Sequence, residues 1–214
     1  MAEAKTIHDV VQRQREFFMT GATLDVDYRV DALKRLRASI KAHEKDIADA
    51  LYKDLRKSEL ESYMSETGMV LDEIKYELKH IRKWSRTKRV KTPIAQFLSK
   101  SFVVPEPYGV VLVMAPWNYP VQLCLEPLVG AVAAGNTAIV KPSAYAAEVS
   151  RCLANIVEEV FPPEYVAVVE GGREQNTQLL EEKFDYIFFT GSETVGKIVK
   201  EIYVKGRIVN IVAK

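Results

Sequence analysis

From Tyr108 onward the chain alternates four short apolar runs with helix-length segments: Val110-Val111-Leu112-Val113-Met114, Thr137-Ala138-Ile139-Val140, Val166-Ala167-Val168-Val169 and Tyr186-Ile187-Phe188-Phe189. The first run mixes β-branched and long aliphatic residues with no polar alternation, as expected for a strand buried on both faces. Between the runs lie an apolar helix-like segment from about Val121 to Ala134, closed by Gly135, a second from about Tyr145 to Val160, and a third before Tyr186. Strands separated by helices in this order predict the βαβ alternation of a doubly wound parallel sheet.

The part before Pro105 reads differently. It is helical, with Pro93 as its one proline. Gly21 is a stop for a first helix running through Val10 to Phe18. Leu33, Leu36, Ile40, Ile47, Leu51 and Leu55 recur at spacings of three, four and seven, the pattern of one apolar helical face. Ser58-Glu59-Leu60-Glu61 fits a capping box, and the helix it starts carries Met64, Leu71, Ile74, Leu78 and Ile81 on its buried side.

Composition bounds the function. At 214 residues, 48% hydrophobic and 28% charged, the chain has the profile of an ordinary soluble globular protein and not of a collagen-like, low-complexity or disordered one. That length suits one or two domains, as a whole protein or the front part of a larger one. Two cysteines cannot make a disulfide framework, which favours a reducing, cytoplasmic setting. No apolar run reaches the ~18 residues of a membrane span, and Met1 to Lys5 opens no signal-peptide core.

The net charge of +1 gives no global pull towards nucleic acid or membrane, although residues 1–107 carry +4 and residues 108–214 carry −3. Lys79 to Lys91 holds seven Lys/Arg around Trp84; with no nucleic-acid fold beside it, a solvated basic face is the favoured reading.

In doubly wound sheets, ligands bind at the carboxyl ends of the strands. Here those ends carry Ala115-Pro116-Trp117-Asn118-Tyr119-Pro120, Lys141-Pro142-Ser143, Glu170-Gly171-Gly172 and Thr190-Gly191-Ser192-Glu193-Thr194-Val195-Gly196. Glycine at 191 lets backbone approach a ligand, and free N–H groups at the following helix start suit a pyrophosphate. The spacing is G-x-x-x-x-G, neither the dinucleotide fingerprint nor a P-loop, so a tight strand–helix turn is an equal alternative on this loop alone. Lys141 and Ser143 suit ribose hydroxyls, or are surface groups. The Asn118 amide, on backbone held by Pro116 and Pro120, suits a developing oxyanion, or satisfies a turn.

Taken together, three segments resemble the aldehyde dehydrogenase superfamily, most closely its class 3 branch acting on fatty and aromatic aldehydes: Glu106 to Pro120, Ala133 to Ser143, and Phe189-Thr190-Gly191-Ser192 with Val195-Gly196. The resemblance covers about residues 8 to 199. It implies an aldehyde dehydrogenase fold: a helical N-terminal segment over 1–107 packing on a Rossmann-like NAD(P)-binding domain over 108–199, with a divergent tail over 200–214. It also implies oxidation of an aldehyde to a carboxylic acid with NAD+ or NADP+ through a cysteine thiohemiacetal, a thioester hydrolysed by a glutamate-activated water, and a homodimer for the full-length form. Asn118 matches the oxyanion-hole asparagine, Trp117 a wall of the cofactor pocket, and Lys141 and Ser143 the adenine-ribose segment. Thr190 matches the position near the nicotinamide, and Gly191, Ser192, Glu193, Thr194, Val195 and Gly196 the pyrophosphate and adenosine loop.

Two departures stand out. Where many relatives place a glutamate after Lys-Pro-Ser, to bind the ribose 2′-hydroxyl and repel a 2′-phosphate, this chain has Ala144, so NADP+ is expected to be tolerated beside NAD+. After Val199 the family pattern is lost, and neither the family's nucleophilic cysteine nor its glutamate is found before Lys214. Cys124 and Cys152 lie in helical segments with apolar neighbours and read as inert thiols. His8, His43 and His80 are scattered and suggest no metal site. A catalytic domain is thus expected to be absent and the 214-residue chain to be inactive on its own, or to be a non-catalytic nucleotide- or partner-binding remnant. The segment Gly206 to Val212 is either a short strand or a disordered tail.

Overall fold

The computed structural model describes residues 6–203 and 208–213; Gly206 and Arg207 of the tail lie outside the described residues. The helical segment begins with α1 (Ile7–Met19), opened by a reciprocal Thr6–Asp9 capping box and followed by Gly21 in the left-handed conformation at φ 75°. The apolar series from Leu33 to Leu55 belongs to two helices rather than one, α2 (Val26–Ala42) and α3 (Glu44–Leu55). Its members from Leu33 to Leu51 are buried all the same. The break falls at His43, whose backbone leaves helical geometry (φ −101°, ψ 16°) and whose Nδ1 pairs with Asp46 Oδ2 at 2.8 Å.

Ser58 caps α4 (Glu59–Ser62), its hydroxyl accepting from Glu61 N at 3.2 Å. A π-helical turn, Tyr63–Thr67, then leads into α5 (Gly68–Trp84). The wide turn overturns one expectation. It inserts a residue into the 3.6-residue phase, so Met64 is 66% exposed while Glu66 and Thr67 take the buried face. Leu71, Ile74 and Ile81 remain buried, because the normal period resumes after Gly68.

Two short strands, β1 (Lys88–Val90) and β2 (Ser101–Val103), pair antiparallel beyond α5. The main sheet contains β3 (Val110–Met114), β4 (Thr137–Lys141), β5 (Val166–Val168), β6 (Tyr186–Gly191) and β7 (Ile208–Ala213). Its order is β5-β4-β3-β6-β7 and every pairing is parallel. The four expected strands are all present. The fifth comes from the tail segment that sequence left open between strand and coil, and it runs alongside the whole of β6. The crossovers are α6 (Pro120–Ala134), α7 (Ala147–Val160), α8 (Arg173–Glu181) and α9 (Glu193–Tyr203). Gly135 ends α6 in the left-handed conformation, φ 92°.

Alternation of side chains along each strand feeds two cores. Val111, Val113, Ala138 and Val140 face a large cluster built with α2, α3, α5, α6 and α7, so the helical layer and the sheet share it. Val110, Leu112, Met114, Ile139 and Ile187 face the other side, against Val11, Leu179 and Val199 of α1, α8 and α9. Burial on both faces explains why the strand runs carry no polar alternation. Polar pins set the layers: Gln14 Nε2 donates to Ala138 O at 2.8 Å, Arg29 Nη1 to Ala133 O at 2.7 Å, and Asp185 Oδ2 accepts from both Arg15 Nη1 and Val110 N at 2.9 Å.

A cavity of about 460 Å³ opens between α2, α5 and α6, lined by Val26, Arg29, Glu77, Ile81 and Trp84 among others. Burial, with Glu73 adding, pushes the Glu77 carboxyl up to about 7 from an ordinary 4.5. The folded state therefore holds the Glu77 proton more tightly than the unfolded chain does. Stability from this group is present at low pH and is lost as pH rises from about 4.5 through about 7. Glu77→Gln is expected to leave stability at pH 5 nearly unchanged and raise it at pH 8 by about 1 kcal/mol, a value discounted for half-exposure. Urea unfolding at the two pH values checks this, and equal pH dependence in both proteins would exclude Glu77 as the source.

Candidate functional site

The strand order reverses between β3 and β6, since β3 connects through α6 to β4 on one side while β6 lies on the other. Such a switch point opens a crevice at the carboxyl ends of the two strands. Met114 at the end of β3 is in register with Lys141 of β4 and Phe189 of β6, so the loops after all three start side by side. The sequence-selected residues on those loops therefore sit along one sheet edge. The 460 Å³ cavity includes none of them.

Lys141 is buried, at 3% exposure, and desolvation lowers its pKa from the usual lysine range. Its ammonium donates to Pro142 O at 2.7 Å and Gly171 O at 2.6 Å, tying the β4 loop to the β5 loop. Gly171 turns there with φ 124°. Ser143 is half-buried and its hydroxyl accepts from Tyr145 N at 3.3 Å; Ala144 beside it is exposed.

Thr190 ends the buried part of β6. Its Oγ1 is buried with no hydrogen-bond partner among the described residues. Gly191 follows, where a Cβ would stand 2.6 Å from the buried Phe189 ring. Ser192 caps the turn, its hydroxyl accepting from Val195 N at 3.4 Å and its carbonyl from Gly196 N at 2.9 Å. Glu193 pairs with Lys197 one turn on, Thr194 and Val195 are exposed, and Gly196 is buried.

The β3 loop holds Trp117, 53% exposed, and Asn118, half-buried. Asn118 Oδ1 is likewise buried with no partner among the described residues. Beneath the loop lies a pair that sequence reasoning missed. Lys57 Nζ lies 2.6 Å from Glu66 Oε1 and 2.9 Å from Asn118 O, and 4.1 Å from the centre of the Tyr119 ring. Glu66 Oε2 accepts from Val121 N and Gln122 N, both at 2.9 Å, in the first turn of α6. Desolvation pushes the Glu66 carboxyl above the usual range, opposed by Lys57 and the two amides.

Neither cysteine is poised for chemistry. Cys124 is wholly buried and its thiol is pushed far up by desolvation; Cys152 is pushed up to about 11 by the same cause. Among the described residues, no group of His, Cys, Asp and Glu could hold a metal ion, and no helix is long and apolar enough to cross a membrane.

A family model described as "Aldehyde dehydrogenase family" matches residues 1–213. The chain is 49% identical over 185 residues to a 4,4′-diaponeurosporen-aldehyde dehydrogenase of Staphylococcus aureus, covering 86% of this chain and 40% of that protein. It is 42% identical over 191 residues to human aldehyde dehydrogenase family 3 member B1, covering 89% and 41%. It is 41% identical over 194 residues to a dog aldehyde dehydrogenase named as dimeric and NADP-preferring, covering 90% and 43%. The structure of Staphylococcus aureus AldH in a substrate-bound state superposes with a TM-score of 0.95 at 44% identity, over 98% of this chain and 46% of that one. The chain thus spans about 40% of the length of the curated relatives it matches.

Proposed function

This chain belongs to the aldehyde dehydrogenase family, and on that premise we propose that its strand-end cleft binds NAD+ or NADP+ and supplies the oxyanion-stabilising amide for oxidation of an aldehyde to a carboxylic acid. The observation that carries the reading is the convergence at the β3–β6 switch point of the half-buried Asn118 side chain and the buried Thr190 Oγ1, which has no partner among the described residues.

The cleft residues fit a dinucleotide. Two of the three ammonium hydrogens of Lys141 go to carbonyls and leave one for a ribose hydroxyl, with Ser143 alongside. The bare backbone at Gly191 admits close approach, and the Ser192–Gly196 turn presents the start of α9. With Ala144 after Ser143, no carboxylate at that position repels a 2′-phosphate. Bound NAD(P)+ supplies the hydride acceptor. Asn118 hydrogen-bonds the oxygen of the aldehyde carbonyl as charge develops there. Cys124 is buried and Cys152 half-buried, and burial raises both thiols, so neither is assigned as the thiolate, and turnover is proposed for a longer or assembled enzyme that supplies the nucleophile. The free thiols suit a cytoplasmic setting, and exposed Ile94, Phe97, Leu98 and Phe102 beside the β1–β2 pair support a homodimer of that enzyme.

Calorimetric titration of the 214-residue protein with NAD+ and NADP+ tests the cofactor reading. Both are expected to bind, with affinities within about 100-fold of each other, or ~2.7 kcal/mol. Gly191→Ala is expected to weaken both by about tenfold or more, because the new methyl drives the Phe189 ring from its packed position. No binding of either dinucleotide at millimolar concentration sinks the reading.

A further inference from the structure

Lys57 and Glu66 are both nearly inaccessible, at 7% and 0% exposure, yet neither belongs to a strand-end loop. Burying an ion pair is a poor way to gain stability, since well-packed apolar residues in its place are often as good or better. What the pair offers is direction. A lysine ammonium has three donors, and here it meets three acceptors: the Glu66 carboxylate, the Asn118 carbonyl and the Tyr119 ring face. The second carboxylate oxygen holds the Val121 and Gln122 amides. One buried pair therefore grips four of the five residues from Asn118 to Gln122, two on each side of Pro120.

The π-helical turn is what delivers Glu66 to this place. In a continuous α-helix Met64 would share the inward face with Leu71 and Ile74; the inserted residue turns Glu66 inward instead. The Asn118 Oδ1 accepts no hydrogen bond among the described residues, so the direction of the side chain depends on the backbone that carries it.

We propose that Lys57 and Glu66 are a positioning pair that fixes the Asn118–Gln122 backbone so that the Asn118 amide is held ready for an oxyanion. This rests on the role given to Asn118 above. Neither residue has a hydrogen bond to Lys141, Ser143 or Thr190. Loosening the pair therefore disorders Asn118 and leaves the dinucleotide loops alone.

The test uses the 214-residue protein and needs no turnover. The backbone amide order parameters of Asn118 and Tyr119 are measured with that of the Gly191 amide. In the native protein the Asn118 backbone amide is expected to be rigid, near 0.85, and in Lys57→Met/Glu66→Gln mobile, below about 0.6, with Gly191 unchanged. In Glu66→Gln the Val121 and Gln122 amides are expected to exchange about tenfold faster than in the native protein. An Asn118 amide equally ordered in the native and double-variant proteins overturns the proposal. So does loss of order spread evenly to Gly191, which marks a general packing role. If neither variant folds, the pair is a folding element and the proposal falls. Failure of the native protein to bind either dinucleotide strikes the cofactor reading alone, because the order of Asn118 is measured without ligand.

Discussion

Lys57→Ala is expected to lower the unfolding free energy by about 3–5 kcal/mol at pH 7, read as a fall in the urea midpoint at unchanged slope. The size follows from what the substitution leaves behind. Glu66 has no solvent access, and without the ammonium its carboxylate keeps only the Val121 and Gln122 amides. Burial already pushes this carboxyl upward, and losing its one cation pushes it further. The folded variant thus binds a proton more tightly than its unfolded chain, so its deficit shrinks as pH falls towards 5. Replacing both partners, Lys57→Met with Glu66→Gln, removes the unpaired charge and keeps an amide oxygen for the α6 N–H groups. Its expected cost is about 1 kcal/mol, and its pH dependence from this site disappears. Equal losses in the single and double variants would show that methylene packing, not charge, sets the cost.

The parts of the fold that sequence made legible are those where one physical requirement dominates. The strand runs from Val110 and Thr137 had to be apolar on both faces because helices cover both sides of the sheet. Gly135 reads as a stop because the residue after α6 adopts a left-handed conformation. The loops at 115–120, 141–143 and 190–196 stand out because polar and glycine residues interrupt buried strands at one edge. Other features depend on competition between weak local preferences. The α2–α3 break at His43 leaves the apolar spacing almost intact, so periodicity alone reads as one face. The π turn changes the phase by a single residue, which no propensity announces, and it decides whether Met64 or Glu66 points inward. Lys57 and Glu66 looked like two among many charges of an amphipathic segment; their one sequence signal is that inward phase, visible only once the turn is known. The β7 strand lies beyond the last motif legible in the sequence, although the family model extends to residue 213, and a six-residue run such as Ile208 to Ala213 is strand or coil according to whether an edge is open to it.

Asn118→Ala is expected to lower turnover by about 10²–10³-fold, the effect of removing one oxyanion donor. The measurement calls for an enzyme with a nucleophile, for which residues 1–199 of this chain can be joined to the later segments of the Staphylococcus aureus relative that superposes with a TM-score of 0.95. Two features make the substitution a clean one. The loop is held through the Asn118 carbonyl and not its side chain, so truncation leaves the Lys57 contact in place. The lost oxygen had no partner, so no buried donor is stranded by its removal. The loss should therefore appear in kcat, with dinucleotide KM within about twofold of the parent, since the Lys141 and Thr190 loops are untouched. Asn118→Asp keeps the shape but sets a carboxylate against the developing negative charge, and should be slower than the alanine variant. If Asn118→Ala and Asn118→Asp both turn over at the parent rate, stabilisation of the oxyanion lies elsewhere and Asn118 is a turn residue.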